Sequence, residues 1–283
     1  MYARSEKFRL VSKILIYALL ILWVIYAVLP LYWVFSTAFK PKAETHAWPP
    51  TLIPSRITLK TFVRLFTDSS FTGRPFLNSI IISLGATLLT VFLSGLAGYG
   101  FSRFRFPLRR FLLLFLILMR LLPTLIMIIP FYKIFITYGL YNTYLGLILI
   151  HGVTSSPFCT WLMFGFYESI PYELEEAALL DGCSFFRSLW HVVLPLAVPG
   201  MAAVATFAYL RAWNDFTNAV VLTSSETIRP YTVILYKMIQ EKGFVQWDLL
   251  SAASFVAVVP ILIAFGIFQK YFITGLTQGA LKG

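Results

Sequence analysis

Residues 167–182 read Tyr167-Glu-Ser-Ile-Pro-Tyr-Glu-Leu-Glu-Glu-Ala-Ala-Leu-Leu-Asp-Gly182, and Cys183-Ser-Phe-Phe-Arg-Ser-Leu-Trp-His-Val-Val-Leu-Pro195 follows directly. The stretch is polar, yet apolar runs of membrane-spanning length flank it on both sides. Its residues are arranged as helix signals. Ser169 suits a helix cap, Pro171 a first turn, and Glu173, Glu175 and Glu176 the positive end of a helix. Gly182 suits the left-handed residue that closes such a helix. Leu174, Ala177, Ala178 and Asp181 follow the i, i+3, i+4, i+7 spacing of one face, and the small Ala pair admits close approach of another backbone. Ser184 caps a second helix, whose apolar face is Phe185, Phe186, Leu189, Trp190 and Val193, with Arg187 and His191 elsewhere. Pro195 and Pro199 then break the chain before the next apolar run. The reading is a helix–Gly–helix elbow over residues 167–198. An ordered loop of this kind between two spans points to docking on something outside the membrane.

Outward from the elbow, six apolar runs are long enough to cross a bilayer, which takes about 20 residues. They cover residues 14–35, 76–101, 111–135, 144–166, 198–222 and 249–273. None alternates with period two, so helices rather than barrel strands are predicted. The fold class is therefore all-α, a polytopic membrane protein with six transmembrane helices. The chain reads as a single transmembrane domain over residues 1–283, with its core at 76–273. The first run exceeds the 7–15 apolar residues of a signal peptide and reads as the first span.

Composition agrees. Hydrophobic residues make up 59% of 283, mean hydropathy is +0.79 and charged residues are 12%, unlike an ordinary soluble domain. The net charge of +11 reflects Lys and Arg beside spans rather than a nucleic-acid partner. Arg4, Lys7, Arg9 and Lys13 precede the first span, and Arg103, Arg105, Arg109 and Arg110 fill a short loop, which places both on the cytosolic side. The second of these basic runs also suits contact with lipid headgroups. The layout puts both termini in the cytosol and residues 40–75 and 223–247 outside. Within 40–75, Trp48-Pro-Pro50, Ile53-Pro54 and Gly73-Arg-Pro75 punctuate an ordered excursion. Leu59, Phe62, Val63 and Phe66 there have the spacing of a short amphipathic helix.

Several chemistries find no support. Cys159 and Cys183 lack metal or redox spacing, and His46, His151 and His191 lack ligand spacing. No Gly-x-x-x-x-Gly-Lys-Ser/Thr loop is present, nor any Gly-Lys pair, so the chain does not cradle nucleotide phosphates in that way. No catalytic carboxylate pair, Gly-x-Ser-x-Gly or His-Glu-x-x-His suggests an enzyme. Ser94-x-x-x-Gly98, with Gly95 and Gly100, offers small residues for close helix packing, within the chain or on a partner. Ionisable residues within a span face a cavity or a partner. In the fifth run Arg211, Asn214, Asp215 and Asn218 form one polar stripe, flanked by Tyr209 and Trp213, with Arg211 and Asp215 as an i, i+4 pair. Two readings of the stripe stand equal, lining of a substrate path and a seam against a partner. Arg120, before Pro123 and Pro130, is a second intramembrane oddity beside prolines expected to kink the third span.

Glu176-Ala-Ala178, three residues, Gly182, nine residues, then Val192-Val-Leu194-Pro195 resembles the EAA loop of binding-protein-dependent ABC importer permeases. Val192 departs from the family's common Ile. Further likeness lies in Pro30-Leu-Tyr-Trp-Val-Phe-Ser-Thr-Ala-Phe-Lys40, Trp48-Pro-Pro50, Gly98-Tyr-Gly-Phe-Ser-Arg-Phe-Arg-Phe106 and Trp213-Asn-Asp-Phe216. It extends over nearly the whole chain and looks like the MalG-like subunit of the maltose-type carbohydrate branch. The resemblance implies a non-enzymatic permease in a prokaryotic inner membrane. It implies a longer second permease, two copies of a cytosolic ATPase holding ATP and Mg, an extracytoplasmic sugar-binding protein and a sugar substrate. It carries ATPase coupling onto Glu176, Ala177, Ala178, Asp181, Gly182, Leu194 and Pro195. No cofactor is expected in this chain. The alternative is an ion-coupled secondary transporter using Asp215 and Arg211.

Overall fold

The structure is a computed structural model. It describes the backbone of residues 2–67, 73–240 and 245–280, with the side chains of these except 2–7, 268 and 270–280. Residues 68–72 of the first expected outer segment and 241–244 of the second lie outside the described residues. All regular elements among the described residues are helical, and they fall into two compact units.

One unit holds residues 1–69 and 238–257. Its first helix, α1 (Tyr2–Ala38), takes in the basic tail as well as the expected span. Its side chains are exposed from residue 13 to residue 33, an apolar surface of the kind hydrocarbon solvates. Beyond α1 the excursion is tied down by polar bonds. Ser36 Oγ donates to the Leu52 carbonyl at 2.8 Å, and buried Lys40 donates from Nζ to the Thr51 carbonyl at 2.5 Å. The short helix α2 (Lys60–Thr67) forms where the spacing predicts one, but it buries Thr61 and Leu65. Leu59, Val63 and Phe66 are exposed, because the packed face is set by Phe62 meeting Phe39 and Phe255 at ring distances of 5.0 and 5.6 Å.

The other unit holds residues 70–237 and 258–283. Its centre is α3 (Gly73–Arg103) packed along α6 (Tyr144–Ser169) and α9 (Leu194–Trp213). Small residues set the spacing. A Cβ on Gly98 would stand 2.6 Å from Met163 Cβ, so only glycine lets α3 approach α6 this closely. Within this small-residue segment Gly98 packs inside the chain, whereas a Cβ on Gly100 would meet nothing within 4 Å. Tyr99, Cys159, Met163, Tyr167, Val193 and Val204 fill the core between these helices.

The third expected span, 111–135, is not one continuous helix. It consists of α4 (Arg109–Met119) and α5 (Thr124–Thr137), bent by 97° at the break. Pro123 is the cause, since the residue before a proline is driven from helical geometry, and Pro123 itself is extended with ψ 126°. Pro130 stays inside α5. Arg120, at the end of α4, lies 4.2 Å from the Phe158 ring centroid and 4.9 Å from that of Phe207.

The elbow contributes α7 (Glu173–Leu180) and α8 (Phe185–Ser188). After it the chain does not break at Pro195 and Pro199. A π turn, Leu189–Val193, joins α8 to α9 directly. Pro195 lacks an N–H and its ring crowds the carbonyl four residues back, and the wider π turn absorbs both. The fifth span does break further on, between α9 and α10 (Thr217–Leu222), and α11 (Tyr231–Gln240) follows. The last helix, α12 (Trp247–Ala280), includes Pro260. Among the described residues, five helices are long and apolar enough to span a membrane, and six spans result when the bent α4–α5 pair counts as one.

Candidate functional site

The elbow is built from the backbone outward. Gly182 has φ +85°, the left-handed conformation its position predicts. The Cys183 N–H donates to the Ala178 carbonyl at 3.0 Å and the Gly182 N–H to the Leu179 carbonyl at 3.1 Å, so a Schellman motif closes α7. Ser184 caps α8, its Oγ accepting from the Arg187 N–H at 3.4 Å. Ser169 does not cap α7. It is the last residue of α6, and its Oγ donates back to the Phe166 carbonyl at 2.7 Å. Pro171 and Tyr172 intervene as a turn, so α7 starts at Glu173 with no side-chain cap.

The helical period gives α7 an inner and an outer face. Glu175 and Ala178, three apart, point inward and are buried. Arg103 Nε donates to Glu175 Oε1 at 2.5 Å, and Tyr99 Oη donates to Glu175 Oε2 at 2.8 Å. A second nitrogen of Arg103 donates to the Ile170 carbonyl at 3.1 Å. The side chains of Arg103 and Glu175 are only 7% and 3% exposed. Nearby, Arg109 pairs with Glu168 at 3.0 Å. The basic run after α3 and the elbow thus occupy the same end of this unit.

The outer face of α7 and the turn after it carry Glu176, Ala177, Asp181 and Gly182, while Leu194 and Pro195 open α9. Glu176, Ala177, Asp181, Gly182 and Pro195 are exposed, and Leu194 is half-buried. The Ala177–Ala178 pair is divided, because Ala178 packs into its own chain. The apolar face expected for the second helix is divided too. Leu189 and Val193 are buried, while Phe186 and Trp190 are 72% and 67% exposed. At α-helical spacing residues 186, 189, 190 and 193 would share one face, and the π turn at Leu189–Val193, wound more widely, breaks that register. Leu180, at the end of α7, is 88% exposed. Leu180, Phe186 and Trp190 are thus large apolar groups held outward on a polar loop.

The expected stripe in the fifth span does not persist as one helical face. The helix ends at Trp213, and Asn214, Asp215 and Phe216 form a turn before α10. Asp215 does not pair with Arg211. Its carboxylate accepts from Asn218 Nδ2 and from the Ala219 N–H, each at 3.0 Å, and lies 3.8 Å from His151 Nε2. An acidic side chain that satisfies the free N–H groups of a helix start favours the break over a continued helix. Trp213 and Asn218 are buried, with Trp213 edge-on to Phe76 and stacked on Tyr209. Tyr209 and Arg211 are half-buried, and Asn214 is exposed.

At the other end of α3 lies a second polar cluster, absent from the sequence reading. Asn78 Nδ2 donates to the carbonyls of Thr227 and Arg229 at 3.0 Å each, while Oδ1 accepts from Tyr144 Oη at 2.6 Å. Asn142 Oδ1 accepts from the N–H groups of Ser224 and Ser225. These bonds tie residues 224–229 to α3 and to the loop that leads into α6. Asn78 sits within an apolar run, and that is the signal by which it was open to detection. Glu175 carried no such signal beside Glu173 and Glu176. Among the described residues, no cluster of His, Cys, Asp and Glu suits a metal ion.

Comparison with known proteins gives consistent matches. Residues 90–278 match the family described as binding-protein-dependent transport system inner membrane component. The sulfoquinovosyl glycerol transport system permease protein SmoH of Agrobacterium fabrum is 35% identical, over 90% of this chain and 88% of the relative. The trehalose/maltose transport system permease protein MalG of Thermococcus litoralis is 30% identical, over 96% of this chain and 98% of the relative. Among solved structures, a chain of a bacterial ABC transporter involved in alginate import superposes with TM-score 0.81 at 24% identity, over 93% of this chain and 96% of that one.

Proposed function

The chain belongs to the family of binding-protein-dependent transport system inner membrane components, and from that premise we propose that it is the MalG-like membrane subunit of a carbohydrate importer. Its work is translocation, forming half of a path whose other half is a longer second permease. The elbow at 167–198 docks in the cleft of a cytosolic ATPase, of which the assembly holds two copies. ATP and Mg bind there, and this chain needs no cofactor of its own. Both termini lie in the cytosol of a prokaryotic cell. Residues 40–75 and 223–247 face a sugar-loaded binding protein outside. Named relatives that transport sulfoquinovosyl glycerol and trehalose or maltose support a saccharide substrate.

One observation carries the docking assignment. Leu180, Phe186 and Trp190 stand exposed on a loop whose inner side is fixed by buried Glu175. Exposed aromatic and aliphatic groups on a rigid mount are what a docking surface requires. Glu176, Ala177, Asp181 and Gly182 surround them as the contact face, with Ala178, Leu194 and Pro195 supporting it from within and behind. For the substrate path, Tyr209, Arg211 and Asn214 are the accessible members of the former stripe. Trp213, Asp215 and Asn218 shape the wall behind them.

The test is assembly and transport. The chain is co-expressed with a longer permease and the ATPase, and reconstituted with a binding protein and radiolabelled sugar. A cysteine in Leu180→Cys is expected to crosslink to the ATPase, and uptake to require ATP. ATP-independent uptake by the purified chain alone would overturn the proposal.

A further inference from the structure

We infer that the Arg103–Glu175 pair, with Tyr99 as its third member, is the joint through which movement of α7 is passed to α3, so that these are positioning residues for coupling. The inference rests on the reading of α7 as the docking helix.

Burial of this pair is a poor way to gain stability. Charges removed from water incur a desolvation penalty that often cancels their attraction, and apolar replacements frequently do as well. What the pair provides is geometry. Both oxygens of Glu175 are engaged, by Arg103 and by Tyr99 one helical turn away on α3. Arg103 also holds the Ile170 carbonyl, in the link between α6 and α7, and its guanidinium lies 5.7 Å from the Tyr172 ring centroid. Contacts to the helix and to the link before it fix α7 in rotation as well as position.

The receiving element is suited to transmission. α3 is one uninterrupted helix of 31 residues, about 45 Å long at 1.5 Å per residue. Unlike the span formed by α4 and α5, it has no break. Near its far end Asn78 grips the carbonyls of Thr227 and Arg229, and Ser79 Oγ accepts from the Tyr231 N–H at 2.8 Å. Displacement of Glu175 therefore moves Arg103, and a rigid rod carries that movement to the loop at the opposite end. The link between α6 and α7 is a short turn whose backbone bonds are local, from Ile170 N–H to the Tyr167 carbonyl and from Glu175 and Glu176 N–H to the Tyr172 carbonyl, and Arg103 is what ties it to α3.

The experiment uses the complete complex in proteoliposomes with loaded binding protein. It compares Glu175→Gln, Arg103→Lys, Tyr99→Phe and the double variant Arg103→Lys/Glu175→Gln. The readout is sugar imported per ATP hydrolysed, normalised to assembled complex, which a purely structural role leaves unchanged. The ratio is expected to fall by about threefold or more in the first two variants, the scale on which residues along a coupling route act. The double variant is expected to be no worse than the poorer single one, because the two residues form one contact. Should Glu175→Gln fail to assemble, Tyr99→Phe, which removes only a hydroxyl, decides the matter by the same ratio. An unchanged ratio in every assembled variant, with the Leu180→Cys crosslink to the ATPase still formed, overturns the joint and leaves docking intact. Failure of that crosslink in the otherwise unaltered chain overturns docking and the joint together.

Discussion

Asp215 Oδ2 stands 3.8 Å from His151 Nε2 on α6, while the same carboxylate holds the first turn of α10. The residue that i, i+4 spacing pairs with Arg211 is the hinge between two helices. Its carbonyl also accepts from Thr232 Oγ1 at 2.8 Å. Asp215→Ala removes the acceptor of the Ala219 N–H in the first turn of α10, a change comparable to loss of a helix cap, about 1 kcal/mol. It also takes the carboxylate from buried His151. Uptake is expected to fall more than complex yield, and Asp215→Asn, which retains an acceptor for the Ala219 N–H, to fall less than Asp215→Ala. Equal loss of yield and uptake, measured on purified complex and on vesicles, would instead identify a purely structural hinge.

Close packing of α3 on α6 gives a sharper expectation. A side chain at Gly98 meets Met163 Cβ at 2.6 Å and the Phe164 nitrogen at 2.9 Å, whereas at Gly100 it meets nothing within 4 Å. Overpacking of this kind costs about 1–3 kcal/mol. Gly98→Val is expected to lower the melting temperature of the detergent-solubilised complex and its yield. Gly100→Ala is the control and is expected to match the parent protein.

The sequence made the elbow legible because its signals are local. Gly182 needs no distant residue to adopt positive φ, and Ser184 needs only the Arg187 amide. The apolar runs were legible for the same reason, since bilayer thickness imposes their length. Three features depend on distant partners and were not. Glu175 differs from Glu173 and Glu176 only in meeting Arg103, 72 residues earlier in the chain. The stripe at 211–218 satisfied a helical spacing, but Asp215 is drawn out of it by α6 and α10. Leu59, Phe62, Val63 and Phe66 match one helical face, yet of these Phe62 is the one that meets the aromatic cluster around Phe255, and the packed side turns toward Thr61 and Leu65. Pro123 signals a kink, and its local signal does not encode the 97° bend between α4 and α5.

In the excursion after α1, Glu44 accepts from Ser55 Oγ at 2.7 Å and from the Ser55 N–H at 3.2 Å, besides Thr51 Oγ1. The hydrogen bond from Thr51, then that from Ser55, holds its carboxyl below the usual carboxylate range. Since the folded value is depressed, its contribution is present above the unfolded value, about pH 4.3. It is lost as pH falls through the lower, folded value. Amide exchange at Ser55, corrected for intrinsic rate, is expected to accelerate as the medium is acidified through that range. In Glu44→Gln the protection is expected to be weaker at neutral pH and to show no such step. A step that survives in Glu44→Gln would assign it to another group.

The elbow itself provides the most demanding test. Gly182 at φ +85° admits a β-carbon only with strain, roughly 1–2 kcal/mol for a residue forced into this conformation. Nothing lies within 4 Å of that position, so strain rather than collision is what Gly182→Leu introduces. Asparagine tolerates left-handed geometry, and Gly182→Asn is expected to behave between the two. Trp190→Ala and Phe186→Ala act differently, by removing exposed apolar groups without disturbing the fold. Buried aromatic anchors of an interface are commonly worth about 2 kcal/mol or more each. Those two variants are expected to keep the melting temperature of the isolated chain and lose affinity for the ATPase, measured by co-purification and by stimulated ATP hydrolysis. Glu176→Lys reverses charge on the same outer face and is expected to uncouple in the same assay. Membrane insertion, followed by fractionation, is expected to be normal throughout, because none of these side chains lies within a lipid-facing run. Parent-like coupling in Gly182→Leu, Trp190→Ala and Glu176→Lys at normal yield would mean that the loop is a surface hairpin and that the ATPase binds elsewhere.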